Sequence, residues 1–587
     1  MCGIAGILGA DQPPEQAVRE MIERLQHRGP DGIRVESGPG WAVAHARLSI
    51  IDLEGGWQPL HAAGSTIIGN GEIYNYIELI EEFGLKDQLK TGSDFEPLLH
   101  LYAREGEKAF SRLRGMYAFC LIGGDGRTWL VRDPFGIKPL YVRQERDELR
   151  FASETRSLSG RRVRPEAINE VLELNYSIHD IQEHVRRIEP GEVAQVFDGR
   201  ATLRPGYGHA KAELSSVPRE RRILPWLSPT GEYVGEVAHA LVQLDAVLED
   251  SVRVHQRSDV PYGLFLSGGI DSSTIATLMS RLNERPVTAF TCGFDAPGAR
   301  DERAAAERVA KALNLDWRET AFGEEDFWHI LPEVAWCLDD PTTDYATLPT
   351  WKLAEAAKGT LTVVLSGEGG DELFAGYGRY RRALRPRWLG GRPAAPQPAL
   401  VGVLKPNSAL LQWSYREKAA AQPWMSPLQR AQAADIATWL PNDLLLKLDR
   451  TLMAHGLEGR TPFLDREVAA FAFHLPDRMK VRGRYGKWLL RKWLERHCPA
   501  AEPWAKKKGF TVPVAAWIAP RAADLARTLP SHEGLNQVCD PDAVRAVFEG
   551  DEAVSARWPL LFYAVWFNIH VLGMDRAQAL RAVLGTV

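Results

Sequence analysis

The chain has 587 residues, room for roughly four average domains or two to three large α/β units, which excludes a lone small binding module. It is 45% hydrophobic and 25% charged, the balance of a globular chain with more than one buried core. With 71 Lys+Arg against 76 Asp+Glu, a formal charge of -5 excludes nucleic-acid binding by bulk phosphate neutralisation, and no nucleic-acid partner is expected.

From Ile4 to about residue 200 the apolar runs are short and β-leaning, over 41–44, 65–68, 116–122 and 128–131, with helical stretches near 14–27 and 94–105. Turn residues separate them, so this half reads as an α+β domain rich in antiparallel sheet. Pro and Gly interrupt residues 204–232, and the expected division is a first domain over 1–205, a linker over 206–235 and a second domain over 236–587. The second domain opens with a helix over 237–254 and then alternates: strand 262–266, helix 272–282, strand 287–294, helix 301–313, strand 361–365. Strands alternating with helices imply a doubly wound parallel sheet of α/β type. Residues 385–406 are rich in Pro and Gly and read as a loop insertion, and from about 415 the pattern is helical and Trp-rich. The most apolar segment, 558–574, is interrupted by Pro559, Asn568 and His570; it reads as a buried helix, and no membrane partner is expected.

The six cysteines, Cys2, Cys120, Cys292, Cys337, Cys498 and Cys539, form no CxxC pair and no zinc-like spacing. With no signal segment at the start, a reducing cytoplasm is the expected compartment. Cys2 follows the initiator methionine. Once that methionine is removed, one residue carries both a thiol nucleophile and an α-amine, whose reference pKa near ~7.7–8.0 leaves it partly neutral and able to take the thiol proton.

Alone, Cys2 is equally a small residue at a chain start. It is followed, however, by His27-Arg28-Gly29-Pro30-Asp31-Gly32, His45-Ala46-Arg47-Leu48-Ser49-Ile50, Asn70-Gly71-Glu72-Ile73-Tyr74-Asn75 and Gly92-Ser93-Asp94. Together these motifs resemble the glutaminase domain of class II glutamine amidotransferases. The resemblance implies an Ntn-hydrolase-type αββα fold with Cys2 as the nucleophile. It makes the Asn70 amide and the Gly71 N–H the donors to a developing oxyanion. Arg47 and Asp94 would hold the carboxylate and ammonium of glutamine, with Glu72 helping to orient it.

In the second half, Ser267-Gly268-Gly269-Ile270-Asp271-Ser272-Ser273 lies where a strand ends and a helix begins. Small residues there let backbone N–H groups approach an anion at the positive helix end. The run is neither a Walker A loop nor a dinucleotide fingerprint, and it resembles the PP-loop of ATP pyrophosphatases. A second strand end, Leu365-Ser366-Gly367-Glu368-Gly369-Gly370-Asp371-Glu372, supplies carboxylates. Asp271 and Asp371, one from each loop, would bridge a magnesium ion to ATP.

With Asp449-Arg450, the run from Met453 to Asp465, and Lys507-Lys508-Gly509-Phe510, these loops resemble the synthetase domain of the glutamine-hydrolysing asparagine synthetases. That resemblance implies ATP as cosubstrate with Mg2+. Leu266, Ser267, Gly268, Gly269, Asp271, Ser272, Cys292, Ser366 and Gly367 would surround the nucleotide, Glu368 would deprotonate the attacking ammonia, and Lys507 would neutralise the transferring phosphates.

The implied activity is a glutamine-dependent amidotransferase. Cys2 releases ammonia, ATP adenylates a carboxylate, most simply the side chain of aspartate, and ammonia displaces AMP to give the amide, here asparagine, with AMP and pyrophosphate as products. The pattern departs from the family at Ala505, where arginine is common, and over 339–345, which offers no basic residue to an α-carboxylate. The charges of an aspartate acceptor are therefore expected to meet Arg450, Arg460 or the Arg379-Tyr380-Arg381-Arg382 cluster. The same chemistry on another carboxylate, in a natural-product or cell-envelope pathway, stays open as the alternative. A ring-closing β-lactam synthetase or lasso-peptide cyclase has no need of a glutaminase, whereas Cys2, Arg47, Asn70, Gly71 and Asp94 are all present. Expected partners are glutamine, ATP and the acceptor, and the resemblance allows a homodimer.

Overall fold

A computed structural model describes all residues except 1, 10–12, 146–147, 159, 161, 198–199, 205–234, 296–301, 386–387, 389–399, 401, 407–421, 506–511, 552 and 587. The expected linker, most of the 385–406 insertion and Lys507 lie outside the described residues.

The N-terminal half contains strands β1 (Gly3–Leu8), β2 (Gly32–Gly38), β3 (Trp41–Arg47), β4 (Leu60–Ala62), β5 (Ser65–Ile73), β6 (Gly115–Ile122), β7 (Thr128–Arg132), β8 (Tyr141–Glu145), β9 (Glu148–Ala152), β10 (Val185–Arg187), β11 (Val193–Phe197) and β12 (Arg200–Arg204). They form two antiparallel six-stranded sheets, ordered β10-β8-β9-β1-β3-β2 and β12-β11-β7-β6-β5-β4. The strand period of two sorts the side chains into layers. Ile4 and Leu8 of β1 and Val43 of β3 pack between the sheets against Ile68, Ala118 and Leu130. The intervening Ala5, Ile7, Ala42 and Ala44 face outward and are covered by Val18, Met21 and Ile22 of the helix Glu15–Glu23. On the other side, the helix Glu96–Glu105 lays Leu98 and Leu99 over Ile67, Phe119 and Leu121. The result is the expected four-layer αββα stack.

The C-terminal half is built on β13 (Tyr262–Phe265), β14 (Thr288–Phe294), β15 (Asp316–Phe322), β16 (Val363–Leu365) and β17 (Glu458–Arg460), in the order β15-β14-β13-β16-β17. Every neighbouring pair is parallel. Helices cover both faces: Leu264, Ala289 and Leu365 pack on one side with Leu248, Ile275 and Leu489, while Phe290 and Val364 pack on the other with Ala354, Leu448 and Leu452. From β13 the chain first builds outward through β14 and β15, then returns to the opposite side of β13 as β16. The crevice between the ends of β13 and β16 is the switch point where such sheets bind ligands. The helix expected from residue 272 begins earlier, at Ile270 with Gly269 as its N-cap. This places Asp271 in the first turn, where the helix dipole favours an acid.

The apolar C-terminal segment is the helix Arg557–His570, buried from Trp558 to Ile569. Trp558 and Trp566 donate through Nε1 to the carbonyls of Thr343 and Leu338 at 2.7 Å each, tying the 338–343 segment to this core. Among the described residues no helix is long and apolar enough to cross a membrane.

The two halves meet through a buried ionic network. Arg28 makes a two-pronged contact with Asp449 at 2.8 and 3.1 Å and another with Glu154 at 2.9 Å. Arg450 reaches Asp339 at 2.7 Å and Asp449 at 2.9 Å. Asp339 also accepts from the Thr155 hydroxyl at 2.9 Å. Next to this, Arg187 and Tyr141 converge on Asp340 at 2.6 and 2.7 Å. Such a network is stable only when every charge keeps its partner, because a buried ion left unpaired keeps its full desolvation cost. Replacing Arg450 by methionine is therefore expected to destabilise the chain by ~3–5 kcal/mol, read as a lower thermal unfolding midpoint. An unchanged midpoint would contradict the assignment of this network as the structural joint.

Candidate functional site

The first centre forms where β1 and β3 of one sheet face β5 of the other. The backbone N of Cys2 donates to Asn70 Oδ1 at 3.2 Å, and its Sγ lies 3.8 Å from the Leu48 carbonyl. Burial pushes the thiol up from its ordinary value, partly countered by the positive chain N-terminus and a backbone hydrogen bond at Leu48. Arg28 Nε donates to the Cys2 carbonyl at 3.3 Å, fixing the backbone that carries the thiol.

Asn70 is fully buried on β5, and its Nδ2 has no hydrogen-bond partner. A buried, unsatisfied amide donor is costly, and this one sits on the residue that touches Cys2, the placement expected of an oxyanion donor. Gly71 has φ of +136°, and a Cβ there would lie 2.0 Å from the Met116 carbonyl oxygen on β6. Only glycine fits this close approach. Arg47 ends β3; its Nη2 donates to the Asp52 carbonyl at 2.5 Å, its Nη1 is buried without a partner, and its guanidinium lies 4.8 Å from the Trp57 ring. Asp94 accepts from the Ile73 N–H at 2.6 Å, and burial raises its carboxyl to about 7. Glu72 differs from its neighbours. It turns to the second half of the chain, 3.3 Å from Arg460, and burial together with Glu458 and Asp94 pushes its carboxyl well above the usual range.

The second centre is a cavity of about 480 Å³ at the switch point. Every residue expected around the nucleotide, from Leu266 to Ser272 on the β13 loop together with Cys292, Ser366 and Gly367, lines it, and so do Glu368 and Asp371. Thr291 holds the end of β13 by donating to the Leu266 carbonyl at 2.6 Å. The loop closes on itself, with Gly269 N–H donating to Ser267 Oγ at 3.2 Å and the Ser267 and Ser272 hydroxyls 3.0 Å apart. The positive end of the helix Ile270–Leu282 opens into the cavity, a setting suited to phosphates. Asp271 and Asp371 converge from the two loops on one ammonium, that of Lys487, which pairs with Asp271 and lies 2.6 Å from Asp371 Oδ1. Two hard oxygen donors on the cavity wall, completed by phosphate oxygens, suit magnesium.

Glu368 faces Lys447, 3.9 Å away, and Lys447 in turn pairs with Asp344 at 2.9 Å. Burial raises the Glu368 carboxyl while Lys447 holds it down.

Of the cations expected to meet an acceptor's charges, Arg450, Arg460 and Arg379 are committed elsewhere. Arg450 belongs to the joint between the halves. Arg460 is buried against Glu458 at 2.6 Å and Glu72. Arg379 pairs with Asp435 at 2.8 Å and stacks 4.1 Å from Trp439. The 339–345 segment is likewise split: Asp339 and Asp340 serve the joint, and Asp344 pairs with the cavity residue Lys447. Arg308, Lys447, Lys487 and Arg491 are the cavity cations that the sequence reading missed. Lys447 stands two residues before the quoted Asp449-Arg450 pair, the one signal in the sequence that pointed near it. Ala505 does line the cavity, as the place of the missing arginine suggests.

Residues 1–207 match the family model of a glutamine amidotransferase domain and residues 243–570 that of asparagine synthase. The glutamine-hydrolysing asparagine synthetase 1 of Bacillus subtilis (strain 168) is 34% identical, over 97% of this chain and 97% of its own. A putative asparagine synthetase of Mycobacterium tuberculosis (strain ATCC 25618 / H37Rv) is 32% identical over 97% and 96%, and asparagine synthetase B of Escherichia coli (strain K12) is 28% identical over 88% and 83%. With both of its halves and nearly its whole length matched, the chain belongs to the glutamine-hydrolysing asparagine synthetase family.

Proposed function

We propose that this protein is an ATP-dependent amide ligase that makes asparagine from aspartate with nitrogen from glutamine, the glutaminase unit spanning 1–205, the synthetase unit 236–587, and 206–235 joining them. The observation that carries this reading is the presence of two complementary centres in one chain: Cys2 hydrogen-bonded to Asn70, with Arg47 close enough to feel the Cys2 charge and Asp94 held by the Ile73 N–H of Asn70's own strand, and a switch-point cavity holding Asp271, Asp371 and Glu368.

At the first centre, Cys2, once terminal, attacks the glutamine amide after its α-amine takes the thiol proton. The N–H now bonded to Asn70 Oδ1 is the atom that becomes that amine, so the same contact orients the base. The negative charge that develops on the amide oxygen is met by Asn70 Nδ2 and the Gly71 N–H, which need no reorganisation because the strand pairing of β5 with β6 fixes both. Arg47, through its unpartnered Nη1, takes the α-carboxylate of glutamine, and Asp94 takes its ammonium. Glu72 orients the substrate from a position tied to Arg460.

At the second centre the loop and helix end receive the phosphates of ATP, and Asp271 and Asp371 hold magnesium, which neutralises phosphate charge when bound. Glu368 accepts a proton from the ammonia that attacks the acyl-adenylate. Its place beside Lys447 keeps the carboxylate form available despite burial. Lys507 contributes a further cation to the transferring phosphates. The enzyme works in the cytoplasm, in keeping with its unpaired cysteines.

The decisive assay follows AMP, pyrophosphate and asparagine. With glutamine, ATP, Mg2+ and aspartate all three form together; product without aspartate, or ADP in place of AMP, overturns the reading. Cys2→Ala is expected to abolish the glutamine-dependent reaction and to keep ammonium-dependent synthesis within about twofold of the parent. A second expectation concerns pH. Because Asp94 holds its proton up to about 7 and only its ionised form pairs with an ammonium, glutamine binding strengthens as pH rises. The ionised fraction grows roughly tenfold from pH 6 to 8, so KM for glutamine should fall by up to that factor. Asp94→Asn should weaken binding and flatten the profile; a KM that rises over this range would count against the assignment.

A further inference from the structure

Lys487 occupies a position that the catalytic outline does not use. It precedes the helix Trp488–His497 in the left-handed conformation, φ 53° and ψ 34°, uncommon for a residue with a side chain. Two backbone bonds hold it there: its N–H donates to the Phe374 carbonyl at 3.0 Å, and its own carbonyl accepts from Arg491 N–H at 2.9 Å. The turn after Asp371 is shaped around it. A Cβ on Gly376 would lie 1.6 Å from Asp371 Oδ1 and 2.3 Å from Lys487 Cε, and one on Gly486 would lie 2.2 Å from the Ala375 carbonyl. The side chain is 5% exposed and its ammonium sits between the carboxylates of Asp271 and Asp371.

We infer that Lys487 is a built-in cation of the ATP site, which holds the two carboxylates together before nucleotide arrives and prevents a divalent ion from binding there without it. This rests on the metal role proposed for Asp271 and Asp371. The physical reason is charge. Two carboxylates and one ammonium leave a single net negative charge, and a dication close enough to bind both acids would stand beside a fixed positive charge. The triphosphate removes that obstacle. Its oxygens give the ammonium another anionic partner and bring the ligands that complete the metal's shell, so metal and nucleotide enter as a unit. Arg491, one helical turn beyond Lys487, lines the same cavity and adds to the positive edge that receives the phosphates. Lys487 is thus a positioning residue whose effect appears in the order of binding.

The test uses the full-length enzyme and Mn2+ as a paramagnetic probe, titrated by electron paramagnetic resonance with and without α,β-methylene ATP. Wild type should bind Mn2+ weakly alone and tightly with the nucleotide. Lys487→Met should bind Mn2+ alone at least tenfold more tightly than wild type, and Mn2+ alone should raise its melting temperature while leaving that of wild type unmoved. Should the methionine variant fail to fold, Lys487→Gln, which keeps a polar tip without the charge, carries the same expectation. Equal nucleotide-free affinities in variant and wild type, with tight binding in the presence of nucleotide intact, overturn the inference and leave the metal role standing. No Mn2+ binding by wild type even with nucleotide overturns both.

Discussion

The joint between the halves is a cluster of charges buried where water cannot reach them, and the placement of both centres depends on it. Arg28, Glu154, Asp339, Asp449 and Arg450 are all nearly or fully buried. A desolvated charge tolerates little displacement from its partner, since the Coulomb term that offsets the desolvation cost falls quickly with separation. An apolar interface of the same area would be as adhesive but would slide more easily. The consequence is geometric: the helix Leu445–Met453 carries Lys447 into the nucleotide cavity and, two residues on, Asp449 onto Arg28, which donates to the Cys2 carbonyl. One short helix therefore touches both centres.

A second strut runs parallel to the first. The Ser366 N–H on the rim of the cavity donates to the Arg460 carbonyl at 2.8 Å, and the Arg460 side chain lies against Glu72 on β5, next to Gly71 and Asn70. A sheet edge of one half is thus bolted to β5 of the other. The apolar core continues across the same boundary, with Leu48, Tyr74, Met116 and Phe135 packed in one cluster with Leu266, Leu464 and Phe463. Packed interiors transmit displacement because they have no free volume to absorb it.

What the sequence made legible, and what it hid, divides along chain separation. The SGGIDSS run and the strand end after Leu365 were readable because their chemistry lies in consecutive residues, and the alternating pattern of β13 to β16 gave the parallel sheet. The αββα half followed from motifs whose order is itself informative. Lys487 and Lys447 were hidden because each reaches the cavity from a helix far along the chain from either loop, and no local spacing marks them. Arg450, Arg460 and Arg379 were misjudged for the complementary reason: a sequence displays a cation without its partner. Asp339, Glu458 and Asp435, which neutralise them, are fixed only by the tertiary fold.

The charge states between the two centres bear on how nitrogen would cross. Arg460 is matched by Glu458, whose carboxyl it holds down at about 2, while burial pushes the Glu72 carboxyl well above the usual range. The contact between the halves at this point thus brings two carboxyl groups, Glu458 and Glu72, to one buried guanidinium. An unbalanced carboxylate there would bind ammonium and stall it, and an unbalanced guanidinium would raise the electrostatic cost of any cation approaching. Burial by itself disfavours the protonated form of an amine. Neutral ammonia is the form that retains the lone pair needed to attack an acyl-adenylate, and the buried joint that fixes the two centres in place favours that form over ammonium.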